Sequence, residues 1–177
     1  MLSNLRRPII GFAAFSGTGK TTLLMHLLPL LRARGLRIGM IKHAHHTFEL
    51  DYPGKDSFEL RKAGAAQILV ASRRRWALVS ETPERPGDPP LDELLAHLDQ
   101  DHIDLILVEG FKHEAFPKIE LHRPSLRHPL LATHDPNIIA VASDAPVSAA
   151  PTVAILDLND PAQVADFIQQ RLPTAQA

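Results

Sequence analysis

Residues 14–21 read Ala-Phe-Ser-Gly-Thr-Gly-Lys-Thr, a run of small, hydroxyl and cationic residues spaced to grip a chain of phosphates. It matches the relaxed Walker A pattern, with Ala14 where the strict form has glycine. Gly17 and Gly19 let the backbone curl, so that successive N–H groups from Ser16 through Thr22 point inward at phosphate oxygens. The start of the following helix adds partial positive charge. Lys20 reaches the β- and γ-phosphates as a mobile cation, Thr21 offers its hydroxyl to Mg²⁺, and Thr22 is placed for the α-phosphate.

Such chemistry needs a carboxylate at the end of a neighbouring strand. Leu105-Ile-Leu-Val-Glu-Gly110 supplies Glu109 at the carboxyl end of an apolar run, where α/β sheets bind ligands. Glu109 is a candidate to hold a metal-bound water or to orient an attacking water; the alternative is a strand-end carboxylate facing solvent. Lys20 and Glu109 are therefore the catalytic candidates. Asp104 starts the same strand at its opposite end and is discounted. Asp51 and Asp56 are further metal candidates, although Asp56 also reads as a helix cap. Lys55 is either a phosphate contact or an ordinary loop lysine. His43, His45 and His46 cluster after the second strand, and three readings stay open for them: a transition-metal site, a contact to nucleotide or partner, or plain polar loop residues. Arg73, Arg74 and Arg75 read as a solvated turn, and Trp76 and Phe111 as packing or interface aromatics.

The elements that must carry these residues alternate as βαβ units, the pattern of a mostly parallel sheet flanked by helices. Ile9–Phe15 is expected as a buried strand and Lys20–Arg34 as a helix. That helix is leucine-rich on nearly every side, so it is expected to be largely buried. It is expected to kink at Pro29 and to stop at Gly35. Leu36–Lys42 is a second strand, and Asp56 or Ser57 should cap a helix running to Ala63, with Glu59 reaching back. Gln67–Ser72 and Trp76–Glu81 suit a hairpin, making about 66–82 a small inserted β element. Pro83–Pro90 is a loop, Leu91–Leu98 a helix, Ile103–Val108 a central strand, and Lys118–Leu121 a shorter one. Arg123–Asp135 reads as irregular. Asn137–Ala142 and Thr152–Leu156 are the last strands, Asp160-Pro161 opens a final helix ending near Leu172, and 173–177 is a frayed tail. A single P-loop domain over 1–177 is the expectation.

At 177 residues, 45% hydrophobic and with a net charge of −1, the chain has the composition of a globular domain and no overall charge that would attract nucleic acid or an acidic membrane. It has no cysteine, which excludes disulfides, zinc–thiolate sites, iron–sulfur clusters and a cysteine nucleophile. The stretch from Met1 to Phe15 lacks the length of a membrane span and a signal-peptide cleavage pattern, so a cytoplasmic protein is expected.

Several segments together resemble the molybdopterin-guanine dinucleotide biosynthesis adapter family, MobB. They are Phe12–Leu24, Ile41-Lys-His-Ala-His-His46, Pro53-Gly-Lys-Asp-Ser57 with Leu60–Ala65, Arg75–Leu78 with Glu81-Thr-Pro83, Leu105–Lys112, and Ile139–Asp144. The resemblance implies a P-loop NTPase fold, GTP binding with weak hydrolysis at best, and homodimers. It also implies a role beside the enzyme of the MobA type that joins GMP to molybdopterin, with molybdopterin itself a further candidate ligand. The family's P-loop role falls on Gly17, Gly19, Lys20 and Thr21, and its acidic residue on Glu109. The Asn-Lys-x-Asp motif that reads guanine in many GTPases is missing; by analogy of position Asp144, after a late strand, is the candidate to accept from the guanine ring. Two other readings compete. A small-molecule kinase would need an acceptor pocket and a lid, for which Arg123 and Arg127 are available. A scaffold would carry the pterin product and barely use nucleotide.

Overall fold

The computed structural model describes residues 2–44, 48–82 and 87–173. His45 and His46, the 83–86 part of the proline-rich loop, and the tail beyond 173 lie outside the described residues. The chain divides into two compact units, one formed by 1–43 and 90–177, the other by 44–89.

In chain order the larger unit contains β1 (Ile9–Ala13), α1 (Lys20–Ala33) and β2 (Ile38–Lys42); the smaller contains α2 (Asp56–Lys62), β3 (Gln67–Ala71) and β4 (Trp76–Ser80). The larger then resumes with α3 (Leu91–Leu95), β5 (Leu105–Glu109), β6 (Lys118–His122), β7 (Ile138–Ser143), β8 (Ala154–Asp157) and α4 (Pro161–Gln169). Its six strands form a parallel sheet in the order β2-β5-β1-β6-β7-β8. β1 is buried throughout and β5 through Val108, as expected of parallel strands covered on both faces. Among the described residues no helix is long and apolar enough to cross a membrane.

Alternate residues feed two cores. Ile10, Phe12, Leu105, Leu107, Ile119 and Leu121 meet α1 and α4 on one face; Ile9, Ile41, Ile106 and Val108 meet α3 and Phe116 on the other. The short crossover from β5 to β6 lays Phe116 over β1. A Cβ on Gly11 would stand 2.5 Å from the Phe116 ring, so only glycine fits beneath it.

The helix α1 is less buried than its leucine content suggests. Leu23, Leu24, Leu27 and Leu31 form one buried stripe, while Met25 is 68% exposed, so this is a one-sided surface helix. Pro29 stands inside it without ending it, and the carbonyl deprived of its partner belongs to exposed Met25. The helix stops as the sequence predicts. Gly35 takes a left-handed φ of +85°, its N–H bonds Arg32 O, and the N–H of Leu36 bonds Leu31 O, closing a Schellman motif. At the other end of the chain, Asp160 caps α4 by accepting from the N–H groups of Ala162 and Gln163, with Pro161 in the first turn. That helix closes at Gln169, short of the expected Leu172.

In the smaller unit β3 and β4 pair antiparallel, and the arginine run occupies the turn between them. The expected capping box is displaced. Lys55 is the N-cap, and its side chain, which has no acceptor, makes no capping bond; Asp56 is already helical, and Glu59 accepts from the N–H of Gly54 at 3.0 Å. Buried Arg61 binds Glu49 at 2.7 Å and Glu81 at 2.6 Å, tying the loop before α2 to the end of β4. The hairpin leaves Leu69, Val70, Trp76 and Leu78 exposed.

Candidate nucleotide-binding site

The loop between β1 and α1 has the backbone shape its sequence predicts. Gly17 and Gly19 carry φ of +78° and +101°, values that favour glycine. Thr18, buried at the bend, donates both its N–H (3.4 Å) and its hydroxyl (2.8 Å) to Phe15 O, which holds the turn closed. Gly19 is the N-cap of α1, with no side-chain cap and no acidic residue in the first turn. The first-turn N–H groups and the helix dipole are thus left available to an anion. The side chains of Thr21 and Thr22 are exposed there, as is that of Ser16 in the loop. Lys20 lies back along the loop, its Nζ 3.4 Å from Ala14 O, a long contact that a phosphate can displace.

Glu109 stands at the carboxyl end of β5, in register with Phe12 on one side and Lys42 on the other. That pairing brings Lys42 Nζ to 2.7 Å from the Glu109 carboxylate, whose side chain is largely buried. Sequence reading missed Lys42, although it is the last residue of a strand as Glu109 is. His43 continues the strand pairing by donating its N–H to Glu109 O at 2.8 Å, and its ring packs against Phe111 with centroids 5.1 Å apart. Gly110 has φ +99°, and a Cβ there would meet His43 Cβ at 2.5 Å, which explains why glycine follows the acid. Asp104, at the far end of the strand, is clasped by Arg37. Those bonds hold its carboxyl at about 2, well below the usual range.

Asp144 follows β7, and its carboxylate accepts from Arg123. The same guanidinium donates through Nε to Thr18 O at 3.0 Å. Arg123, weighed above only as a lid residue, therefore braces the phosphate loop against the end of β7, while Arg127 turns the chain at φ +55° after a 3-10 turn over Pro124–Leu126. A cleft of about 280 Å³ lies beside this brace, lined by Gly19, Thr22, His26, Arg123 and Asn159 among others. Asp56 lies in the smaller unit as the first residue of α2, where its charge complements the helix dipole.

Among the described residues no three Asp, Glu, His or Cys side chains converge to cage a metal. The oxygens of Thr21 and Glu109 are hard donors, and they suit an ion such as Mg²⁺ that takes most of its shell from phosphates and water.

Comparison with known proteins agrees with this architecture. The chain is 54% identical to the molybdopterin-guanine dinucleotide biosynthesis adapter protein of Escherichia coli K12 over 162 residues, covering 91% of each chain. It is 43% identical to the adapter protein of the same description from Haemophilus influenzae over 169 residues, 96% of this chain and 92% of that protein. The crystal structure of Bacillus subtilis MobB superposes with a TM-score of 0.72 at 27% identity, covering 94% of this chain and 98% of that one. A family model described as molybdopterin guanine dinucleotide synthesis protein B matches residues 9–144. With the phosphate loop, Glu109 and Asp144 all inside that span, the chain belongs to the MobB family.

Proposed function

We propose that this protein binds GTP with Mg²⁺ and acts as an adapter in the cytoplasmic synthesis of molybdopterin guanine dinucleotide, beside a guanylyltransferase of the MobA type. The observation that carries the nucleotide reading is the phosphate loop itself: two left-handed glycines leading into an uncapped α1, with Lys20 and Thr21 in its first turn. Thr21 would hold Mg²⁺ through its hydroxyl and Glu109 through water. When bound, the ion neutralises phosphate charge. Lys20, now resting on Ala14 O, would pair with the β- and γ-phosphates, and Glu109, now paired with Lys42, would face the ion. Hydrolysis at this site is expected to be slow at most, with Lys20 and Glu109 as the residues that would carry it. Asp144, fixed by Arg123, reads the guanine edge.

Calorimetric titration with GTP, GDP and ATP in Mg²⁺ tests this reading. GTP should bind in preference to ATP, and Lys20→Ala should remove the binding. ATP selectivity, or GTP affinity unchanged by Lys20→Ala, would overturn it.

We also propose a homodimer. Its support is the exposed apolar hairpin, whose Leu69, Trp76 and Leu78 are the kind of side chains that interfaces cover. Sedimentation should show a dimer for the native chain and a monomer for Leu69→Asp/Leu78→Asp; a native monomer at high concentration would remove the proposal.

A further inference from the structure

The cleft of about 280 Å³ beside the Arg123 brace has two walls of different origin. Gly19, Thr22 and His26 come from the phosphate-loop end of α1, whereas Leu158 and Asn159 come from the turn between β8 and α4. The first wall belongs to the phosphates. The second has no part in the nucleotide reading so far.

Backbone pairing sets that second wall beside Asp144. Ser143 is in register with Asp157, and the N–H of Leu158 donates to Ser143 O at 3.0 Å, so the ends of β7 and β8 run out side by side. Asp144 continues one strand and Asn159 the other. The turn holds its own shape. The N–H of Asn159 donates to Asp157 Oδ1 at 2.8 Å, that of Asp160 to Asp157 O at 3.1 Å, and Leu158 is buried in the core shared by α1 and α4. These contacts fix the backbone of Asn159 and leave its side chain exposed, with no hydrogen bond among the described residues.

The two strand ends offer different chemistry. Asp144 is an acceptor, already bonded to Arg123. The other polar groups of the cleft are committed: His26 Nδ1 lies 2.8 Å from Thr22 O, and Arg123 spans Thr18 O and Asp144. Guanine carries a carbonyl beside its ring N–H and its amino group. A carboxylate accepts from the two N–H groups but repels the carbonyl oxygen, so a neutral donor must stand next to it. The Asn159 amide is such a donor.

We infer that Asn159 is a second base-reading residue, its side-chain amide donating to O6 of guanine while Asp144 accepts from the N–H groups. The purine then lies against the ends of β7 and β8, with its phosphates at Gly19 and Thr22. The inference rests on the nucleotide reading proposed above and adds the group that recognises the carbonyl.

The test is calorimetric titration of the full chain in Mg²⁺ with GTP, ATP, 6-thio-GTP and tripolyphosphate. Sulfur at position 6 is a weak acceptor, so 6-thio-GTP keeps the N–H groups and loses the bond to Asn159. The native chain should prefer GTP to ATP and bind 6-thio-GTP about fivefold more weakly than GTP, the scale of one neutral hydrogen bond. Asn159→Ala should weaken GTP by a similar factor and no longer distinguish it from 6-thio-GTP. Asn159→Asp sets a carboxylate against O6 and should cut the preference for GTP over ATP by roughly tenfold or more. Tripolyphosphate, which has no base, should bind the native chain and both variants alike. Unchanged base preference in both variants of a guanine-selective chain would overturn this inference and leave the nucleotide reading standing. So would tripolyphosphate weakening in step with GTP, which would mean that Asn159 only supports the loop. A native chain that binds tripolyphosphate without preferring guanine would overturn the guanine reading and this inference together.

Discussion

On one face of the sheet β6 presents Ile119 and Leu121 to the apolar surfaces of α1 and α4; on the other it presents Lys118, Glu120 and His122. All five side chains are buried, so the strand is equally covered on both sides. The first cover is a pair of helices that need only fit in shape and volume. The second is an irregular segment whose position is dictated by where its carboxylate and its N–H groups must go. Apolar packing tolerates adjustment, whereas a buried ion pair or a carboxylate on two N–H groups does not. The face with directional bonds is the one that borders the cavity lined by Leu131 and Asp135, and the face with leucines is the one that gives the sheet its core.

Substitutions should separate the two kinds of cover. Asp135→Ala strands buried Lys118 without its partner and should cost about 3–5 kcal/mol in urea unfolding; Lys118→Met, which removes the buried charge itself, should cost clearly less. Equal losses would mean that the second face is held by packing and not by charge. On the opposite face Leu121→Ala should cost about 3 kcal/mol through lost burial and the cavity left behind, with Leu121→Met nearly neutral. A severe loss from Leu121→Met would erase the contrast.

The smallest effect is on pH dependence. The Asp104 carboxyl, held near 2 by Arg37, contributes stability that is complete above the ordinary aspartate value and is lost as pH falls through about 2. Burial raises the Glu120 carboxyl above the usual glutamate range, against the pull of its two N–H bonds. Its contribution has the opposite sign, complete below the ordinary glutamate value and declining as pH rises through the raised one. Asp104→Asn should flatten the acid limb of a stability profile, and Glu120→Gln should remove the decline above it. Identical profiles for native and variant chains would show that neither group is perturbed.

What could be read beforehand was local in sequence. The phosphate loop, the Gly35 stop and the Asp160 cap each depend on residues a few positions apart, and the structure has all three. The Lys42–Glu109 pair was hidden because it requires β2 to lie beside β5, 67 residues later. Lys118, Glu120 and His122 alternate with apolar neighbours, the pattern of a strand with one wet face; only the segment folding over them makes that face dry. In α1 the leucine count overstated burial, because the stripe a helix hides is set by what packs on it. The capping box failed by one position, since Lys55 and not Asp56 keeps the extended backbone of a cap.

The place of β1 between β5 and β6 bears on the birth of the molecule. Ile9 pairs with Ile106, so β1 has no partner strand in its sheet until 97 further residues have been made. At roughly 5–20 residues per second, that is a wait on the order of 5–20 s for a fully apolar strand and the leucine stripe behind it. The phosphate loop, slung between those two elements, gains its Arg123 brace only after β5 and β6 have been made. A chain broken off before Val108 therefore carries the phosphate loop without β5 beside β1 and without the Arg123 brace, and should be digested by protease faster than the full chain.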